Sequence, residues 1–323
     1  MFEQFLMAWT LAAGVQADLH LDTPTQLHRQ DVAMDAASGL EAGVAQLRAG
    51  GTNLAVEVLW PPRNTDHLAH TKHLMDLVER EVNALDLLIL VRTPTEARAA
   101  AEADRIGVAV SLEGGHGLGT GDWLAELEAL HDRGLGLLGL TWSFSNRFAG
   151  SSGDAGAGLT DEGRALVDWA RAHGVVLDVS HASRQTTLEV CTDSPVPVIA
   201  SHSDAHGLNA VARNLTDDEI RCIAASGGVI GLNFHAPFVG GTRDVARVAD
   251  HAQHLAAVGG KGVVALGSDF DGMITSTAGL EDASKLPALW EELAARGWSS
   301  DDIAGARGEN FLRAWQAVLD GAG

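Results

Sequence analysis

The chain has 323 residues, of which 46% are hydrophobic and 20% are charged, a balance typical of a globular protein and not of a disordered one. The formal net charge is −21, and phosphate binding needs a basic face, so we expect no nucleic-acid partner. No apolar run reaches the roughly 20 residues that span a bilayer, so we expect no membrane partner.

The N-terminal segment and the cysteines bear on the compartment. Residues 5–17 are apolar, but Glu3 is the only charge before them and there is no basic stretch, which favours a short helix or lead-in strand over a signal peptide. Cys191 and Cys222 are the only cysteines, too few for a disulfide framework. We therefore predict two free thiols in packed helices and a cytoplasmic protein.

Along the chain, apolar segments alternate with amphipathic ones. The eight predicted strands are rich in Val, Leu and Ile without alternation, as expected for strands buried on both faces: Val15–Leu21, Thr52–Leu59, Ile106–Leu112, Leu135–Thr141, Val175–Val179, Val196–Ala200, Gly228–Asn233 and Gly262–Ser268. The predicted helices are Leu68–Leu87, Pro94–Asp104, Trp123–Asp132, Asp161–Ala172, Arg184–Cys191, Thr216–Ala225 and Arg243–Ala257.

This alternation predicts an α/β protein with a single (β/α)8 TIM-type barrel domain over residues 1–323, and a doubly wound sheet is the alternative. Thr216 and Glu219 form the pattern of a capping box. The segment Leu87–Val91 has the composition of a short extra strand without a clear place. The Gly-rich loop 150–158 follows the fourth strand, where a barrel has its active site.

Residues that bind metals follow five of the predicted strands. Because the C-terminal strand ends of a barrel meet at one mouth, these residues are expected to be neighbours: His20, Asp22, Glu113, His181, His202, Asp269 and Asp271. The three imidazoles, with the carboxylates of Asp22 and Glu113, exceed the usual ligands of one catalytic zinc and suit two metals that share a carboxylate. Each residue alone has an ordinary explanation, either a hydrogen-bonded core histidine or a carboxylate in a turn. These explanations must all hold at five strand ends at once, and this coincidence favours a metal site.

Five ordered motifs resemble the membrane dipeptidase (renal dipeptidase-like) family of the amidohydrolase superfamily. They are "DLHLDTP", "SLEGGHGL", "LDVSHAS", "ASHSDAHGL" with "ARNLTDDEI", and "LGSDFDG", and "GENFLRAW" near the C-terminus resembles the closing helix of the family. The resemblance extends from Asp18 to about Asn310 and implies a zinc-dependent dipeptidase, commonly a dimer, whose substrates are small dipeptides with a Gly or D-configured C-terminal residue.

The resemblance also implies roles for single residues. His20, Asp22 and Glu113 would hold one Zn²⁺, and Glu113, His181 and His202 would hold the second, with Glu113 and a water or hydroxide as bridges. Asp269 would accept a proton from that water and pass it to the leaving amine. Arg213 would bind the terminal carboxylate of the substrate.

The fourth strand departs from the family pattern. Many members carry a histidine that contacts the scissile carbonyl, whereas "LGLTWSFSNRF" has Trp142 there, which can pack on a substrate and donate one hydrogen bond but carries no charge. Asn146 is a second candidate substrate contact, or a loop residue. Two alternatives therefore stand beside the dipeptidase: a related amide hydrolase acting on N-acyl amino acids or lactams, and a barrel that binds a small molecule without catalysis.

Several histidines have no assigned role. Those at positions 67, 70 and 73 share one face of a helix, which is more typical of a solvated surface than of a second metal site. His116 is expected near the mouth, and His235 is a candidate pocket residue.

Overall fold

The computed structural model describes residues 14–36, 39–154 and 157–322. The predicted lead-in segment lies outside the described residues up to position 13. Within these ranges the strands are β1 Ala17–Leu21, β2 Leu54–Leu59, β3 Leu88–Leu90, β4 Ile106–Leu112, β5 Leu135–Gly139, β6 Val176–Asp178, β7 Val198–Ile199, β8 Ile230–Leu232 and β9 Val264–Leu266.

The α-helices of the described residues are α1 Thr23–Gln30, α2 Val44–Gly50, α3 His67–Ala84, α4 Pro94–Glu102, α5 Trp123–Arg133, α6 Asp161–Ala172, α7 Arg184–Cys191, α8 Asp217–Ala225, α9 Ala236–Val239, α10 Val245–Gly259, α11 Pro287–Ala295, α12 Ser300–Ala304 and α13 Asn310–Asp320. All seven predicted helices are present. Helices α1, α2, α9, α11 and α12 were not predicted, because they are short or lie next to polar loops.

All strands pair in parallel and form a curled sheet. The order β1-β2-β4-β5-β6-β7 follows the chain without the reversal that a doubly wound sheet requires. Strands β8 and β9 form a separate pair. Isolated bridges connect the two sheets, between Ala200 and Ile230 on one side and between Leu21 and Phe270 on the other. The α/β prediction is confirmed, and the sheet curls toward a barrel.

The extra strand also has a place. Leu88–Leu90 pairs with the first half of β4, Ile106–Val108. The pairing of β4 with β5 begins only at Val110 of β4, so the first half is free for the extra strand. Most other strands are shorter than predicted. β1 and β2 begin two residues later, β5 ends two residues earlier, and β7, β8 and β9 are reduced to two or three residues.

The interior of the curled sheet is a second core, distinct from the one under the helices. Most strands contribute small or medium apolar side chains to this interior, among them Leu19, Val56, Ala109 and Leu137. Helix α13 closes the N-terminal end of this interior with Phe311, Leu312, Trp315 and Val318. The lower half of the sheet is therefore packed and dry, and polar side chains are collected at the opposite end.

Two local predictions have clear outcomes. The capping box is present: the backbone N–H of Thr216 donates to Glu219 at 2.9 Å. In the Gly-rich loop, Gly150 N–H donates to the carbonyl of Gly158 at 3.1 Å and Ser151 Oγ donates to the carbonyl of Trp142, so the described part of the loop is tied down. Positions 155 and 156 lie outside the described residues.

The prediction of two free thiols is wrong. Cys191 at the end of α7 and Cys222 in α8 form a disulfide, with Cα atoms 5.8 Å apart. The two helices lie side by side, and the separation of 31 residues in sequence conceals this proximity. In the described part of the chain, no helix combines the length and the hydropathy needed to cross a membrane.

We expect the disulfide to be present in the purified protein and to contribute between about 2 and 4 kcal/mol to stability, because it closes a loop of 31 residues in the unfolded chain. A thiol reagent added to denatured, unreduced protein should find no reactive thiol, and reduction should release two. A Cys191→Ser, Cys222→Ser double variant should unfold at lower denaturant concentration. Two reactive thiols without reduction would contradict the pairing.

Candidate metal centre

The predicted ligands come together at the C-terminal ends of the strands. His20 lies within β1 and Asp22 just after it, whereas Glu113 follows β4 directly. His181 and His202 each follow the last residue of their strand, β6 or β7, by three positions. These five side chains are between 1% and 8% exposed, so their polar atoms have little water to bond to.

One carboxylate oxygen is the meeting point of three imidazoles. The Oε1 atom of Glu113 lies 3.0 Å from Nε2 of His181 and 3.6 Å from Nε2 of both His20 and His202. The Nε2 atoms of His181 and His202 are themselves 3.0 Å apart. Three ring nitrogens therefore face the same small volume from three different strands.

Among the described residues, three groups of ligand atoms are compact enough to hold one metal ion each, and two of them consist only of residues predicted from the sequence. Glu113, His181 and His202 form the first, with all ligand atoms within 4.8 Å of one another. The second contains His20, Asp22 and Asp269, and His20 Nε2 lies 3.7 Å from the carboxylate of Asp22. The two groups touch through the 3.6 Å contact between His20 and Glu113. The first group contains the donors expected for one metal, whereas the second contains Asp269 where Glu113 was expected.

The contacts among these donors leave buried polar atoms without hydrogen bonds, and a metal ion would satisfy them. His20 Nε2 is buried and has no hydrogen-bond partner among the described residues. Asp22 occupies the N-cap position of α1, yet its carboxylate caps no backbone N–H. An unpartnered buried nitrogen and an unused buried carboxylate are costly in a protein interior unless a ligand satisfies them.

The electrostatics favour the protonation state that metal binding requires. Burial lowers the pKa of His181, with a further contribution from the charge of Arg213, to about 4. The pKa of His202 is lowered well below its ordinary value by the same two causes and by His20. For Glu113, burial raises the pKa, but the neighbouring histidines lower it further, so the group is an anion.

His20 behaves differently. Burial lowers its pKa, but the negative charges of Glu113, Asp22 and Asp269 raise it to about 10. In the metal-free protein His20 is therefore protonated, and a metal that binds there displaces this proton.

Backbone strain is concentrated at the same place. His181 has φ of 64° and Asp269 has φ of 69°, a left-handed conformation that is uncommon for residues other than glycine. Gly272 lies against the two carboxylates of the second group: a Cβ atom there would be 2.7 Å from Asp269 Oδ1 and 2.8 Å from Asp22 Oδ2. The loop after β9 is thus pressed directly onto the ligands.

Asp269 points into the centre and has one protein partner. Asn233, which follows β8, donates from Nδ2 to Asp269 Oδ2 at 3.0 Å. Burial raises the pKa of Asp269, to about 6 with the other charges of the site included. Its neighbour Asp271 points away and accepts hydrogen bonds from Thr23 Oγ1 and from the backbone N–H groups of Glu41 and Ala42.

Arg213 is buried beside the centre with part of its guanidinium unused. Nη1 donates to Ser203 Oγ and Nη2 to the carbonyl of His202, both at 2.6 Å. Its Nε is buried without a hydrogen-bond partner among the described residues. Since a guanidinium carries five N–H groups, three remain for a ligand.

Trp142 belongs to an aromatic cluster on the other side of the centre. Its ring centroid lies 5.0 Å from that of Trp60, 5.8 Å from that of Phe144 and 6.3 Å from that of His181. Trp142 is therefore part of an apolar wall next to His181.

The amide of Asn146 mainly holds its own loop. Nδ2 donates to the carbonyl of Leu140, and Oδ1 accepts from the backbone N–H groups of Phe148 and Ala149. One amide hydrogen remains for a substrate.

Sequence reasoning missed three polar residues that contact the centre: Asp178, Ser201 and Asn233. Asp178 is the last residue of β6 and Asn233 directly follows β8. The search for polar residues at strand ends, which found the predicted ligands, would therefore also have found these two. Ser201 directly precedes His202, and only the structure shows that its hydroxyl lies between two rings.

The other histidines do not form a comparable site. His28 and His73 are 3.1 Å apart, and the ring of His70 lies 5.0 Å from that of His28, but the three do not form a compact donor group. His116 contacts the carbonyl of Pro61 through Nε2.

Comparison with known proteins assigns the family. The sequence profile of the membrane dipeptidase family (peptidase family M19) matches residues 10–322. The chain belongs to this family. It is therefore a metal-dependent dipeptidase, a hydrolase that cleaves peptide bonds, as the motifs predicted.

Solved structures of M19 dipeptidases share its fold. The crystal structure of dipeptidase AC, a metallopeptidase of family M19, is 25% identical with a TM-score of 0.87, over 95% of this chain and 99% of that one. A metallopeptidase from Rhodobacter sphaeroides, bound to a phosphinate mimic of the dipeptide L-Ala-D-Ala, is 25% identical with a TM-score of 0.86, over 94% and 99%. The probable dipeptidase PvdM from Pseudomonas aeruginosa, 20% identical with a TM-score of 0.86 over 99% and 100%, shows the same fold.

A Gly272→Ala variant of this dipeptidase should bind metal more weakly and lose activity, because its Cβ would displace the carboxylates of Asp22 and Asp269. Overpacking of this kind costs roughly 1–3 kcal/mol, which corresponds to a loss of about 5- to 150-fold. The measurement is zinc affinity by titration of metal-free protein. Gly121→Ala is the matched control, since a Cβ there meets nothing within 4 Å. Equal affinities in both variants would contradict the geometry.

Proposed function

We propose that the chain is a binuclear zinc dipeptidase in which Glu113 is shared by two Zn²⁺ ions. The observation that carries the proposal is the convergence of three imidazole Nε2 atoms on one oxygen of Glu113, at 3.0–3.6 Å. Imidazole and carboxylate donors suit zinc, and a closely spaced pair of metals is typical of hydrolytic centres.

In this proposal His20 and Asp22 would hold one Zn²⁺ together with Glu113, and His181 and His202 would hold the other with the same carboxylate. When bound, the two ions lower the pKa of a water molecule between them and polarise the scissile carbonyl. Two further steps, proton transfer and binding of the substrate carboxylate, are assigned to Asp269 and Arg213.

Asp269 is the proposed general base and acid. It is buried at the edge of the second donor group, and the N–H of Asn233 fixes one of its oxygens, so the other faces the centre. Asp269 would accept the proton of the attacking water and return it to the amine that leaves when the C–N bond breaks. Charge and atoms balance in these two transfers without any further reactant.

Arg213 is the proposed anchor for the terminal carboxylate of the substrate. Its unpartnered Nε–H and its remaining Nη hydrogens present two donors in one plane, the arrangement that binds a carboxylate in a bidentate way. Its charge lies next to the metal ligands, since Nη2 donates to the carbonyl of His202. A substrate whose carboxylate is held there would place its last peptide bond close to the centre, and in a dipeptide this is the only peptide bond.

The substrate preference follows from the opposite wall. We propose small dipeptides, including those with Gly or a D-configured residue at the C-terminus, consistent with the mimic bound by the Rhodobacter sphaeroides relative. Trp142, with Asn146 behind it, would contact the N-terminal residue of the substrate by packing.

The aromatic cluster around Trp142 also favours a second candidate. An apolar wall beside His181 accepts an acyl group as readily as an amino acid side chain. A hydrolase for N-acyl amino acids with the same metals and the same Arg213 is therefore the alternative activity.

Three further statements complete the proposal. We take the two sheets and their bridges as one (β/α)8 barrel in a single domain, and we expect a homodimer, by analogy with relatives. The cytoplasmic location stays a prediction, and the disulfide between Cys191 and Cys222 argues against it, because disulfides persist in oxidising compartments.

The experiment that tests the function is amine release by zinc-loaded protein from dipeptides with L- or D-configured C-terminal residues and from the matching N-acetyl amino acids. We expect chelator-sensitive cleavage of the free-amine dipeptides. Cleavage of the acetylated compounds alone would support the alternative hydrolase, and no cleavage with two zinc ions bound would overturn both.

Amidation of the substrate carboxylate tests the role of Arg213 without any change to the protein. The amide of a cleaved dipeptide should lose about 10- to 100-fold in kcat/KM, the value of a charge-assisted hydrogen bond, mainly through KM. Against an Arg213→Lys variant the penalty for amidation should shrink. A penalty of the same size in both proteins would show that another residue binds the carboxylate.

An Asp269→Asn variant should keep its shape and lose proton transfer. We expect kcat to fall by about 10²- to 10⁴-fold, the usual contribution of general acid–base catalysis, with little change in KM. Zinc content, measured on the same samples, must stay near that of the unmodified protein for the fall to be assigned to catalysis. Full turnover by this variant would rule out the proposed proton path.

A further inference from the structure

One serine hydroxyl lies between the two halves of the metal centre. Ser201 Oγ is 2.7 Å from Nδ1 of His202 and 3.2 Å from Nδ1 of His20. On its other side it is 2.6 Å from Oδ2 of Asp178. All four residues are at most 3% exposed, so water does not compete for these contacts.

The hydrogen-bonding capacity of the Ser201 hydroxyl determines which of these groups donate and which accept. A serine carries one proton and two lone pairs. Asp178 can only accept, so the proton of Ser201 goes to it. The two lone pairs then accept the Nδ1–H groups of His20 and His202, and the hydroxyl has no capacity left.

Asp178 is held firmly enough to impose this direction. Its Oδ1 accepts the backbone N–H groups of Ser180 at 2.8 Å and of Ser201 at 2.9 Å. With Oδ2 given to the hydroxyl, the carboxylate is bound on both oxygens within the loops after β6 and β7. It does not need to move when a metal arrives.

We propose that Ser201, oriented by Asp178, is a positioning residue that sets the tautomer and ring orientation of His20 and His202 together. The inference rests on the proposed function, in which these two histidines bind different metals. With both Nδ1–H groups given to Ser201, Nε2 is in each ring the nitrogen that can bind a metal, and it faces Glu113. One hydroxyl therefore prepares one ligand for each of the two sites.

The same contacts exclude a competing assignment. His20, Asp178 and His202 are close enough to form a third donor group. Their facing ring atoms are Nδ1, however, and Ser201 occupies the space between them. Asp178 acts on the metals through the hydroxyl and not as a ligand.

The test is a zinc or cobalt(II) titration of metal-free protein, which reads affinity without any substrate. In a Ser201→Ala variant both sites should bind about 10- to 100-fold more weakly, the usual effect of removing the partner of a ligand histidine. The absorption bands of cobalt should change for both equivalents. Because no peptide is present, failure of the dipeptidase assignment leaves this result unaffected.

Ser180→Ala is the matched control. Its hydroxyl is equally buried and accepts the backbone N–H of His202 at 3.1 Å. It lies 3.4 Å from Ser201 Oγ, a longer contact than that of Asp178, and it contacts neither imidazole. We expect it to lower stability without the loss of affinity at both sites. Equal losses in the two variants would mean a general structural role, and a loss confined to one equivalent would overturn the shared role of Ser201.

An Asp178→Asn variant covers the case in which Ser201→Ala does not fold. An amide that keeps its oxygen on the backbone N–H groups turns its nitrogen toward Ser201 and donates to it, so one lone pair is lost to the histidines. We expect the loss of affinity again, with a Ser201→Thr variant, which keeps the hydroxyl, close to the unmodified protein. Unchanged affinity in Asp178→Asn, or no rescue in a folded Ser201→Thr protein, would contradict the proposal.

Discussion

The structure depends on three imidazole nitrogens and one carboxylate that are crowded together in a buried volume. The Nε2 atoms of His181 and His202 face each other at 3.0 Å, and both rings have lowered pKa values because they are buried. Each neutral imidazole carries a single N–H, so at most some of these facing nitrogen atoms can donate and the remaining lone pairs have no donor. Glu113 adds a negative charge at the same place. The arrangement is unfavourable as a protein core and favourable as a metal site.

The rest of the fold holds these groups in position. The inward side chains of the strands and the helix Asn310–Asp320 fill the lower half of the curled sheet, so the polar residues cannot relax into it. At the mouth, left-handed backbone at His181 and Asp269 turns both side chains toward the centre. Stability spent on burying carboxylates and on backbone strain is recovered when metals bind, since only the folded state presents the complete donor set.

Much of this could be predicted from the sequence. Strands buried on both faces leave continuous apolar runs, and polar residues directly after such runs are easily seen, which is how His20, Glu113 and Asp269 were found. The motifs added the family. The pairing of Cys191 with Cys222 could not be predicted, because it depends on how two neighbouring helices pack.

Other features escape the sequence for a related reason. Ser201 is one of many serines, and its importance comes from three distances to residues on other strands. Asn146 shows the reverse: a polar residue at the mouth whose amide is mostly used by its own loop. Position after a strand identifies candidates, but the hydrogen bonds that a side chain already makes decide what it has left for a ligand.

The most direct test of the two-metal centre is a crystal of the zinc-loaded protein measured at the zinc absorption edge. A two-metal centre predicts two anomalous peaks about 3.5–4 Å apart, one beside His20 and Asp22 and one beside His181 and His202, with Glu113 between them. A single peak at this mouth, or a pair that does not share Glu113, would contradict it. Zinc bound only at the surface histidines His28 and His73 would contradict it as well.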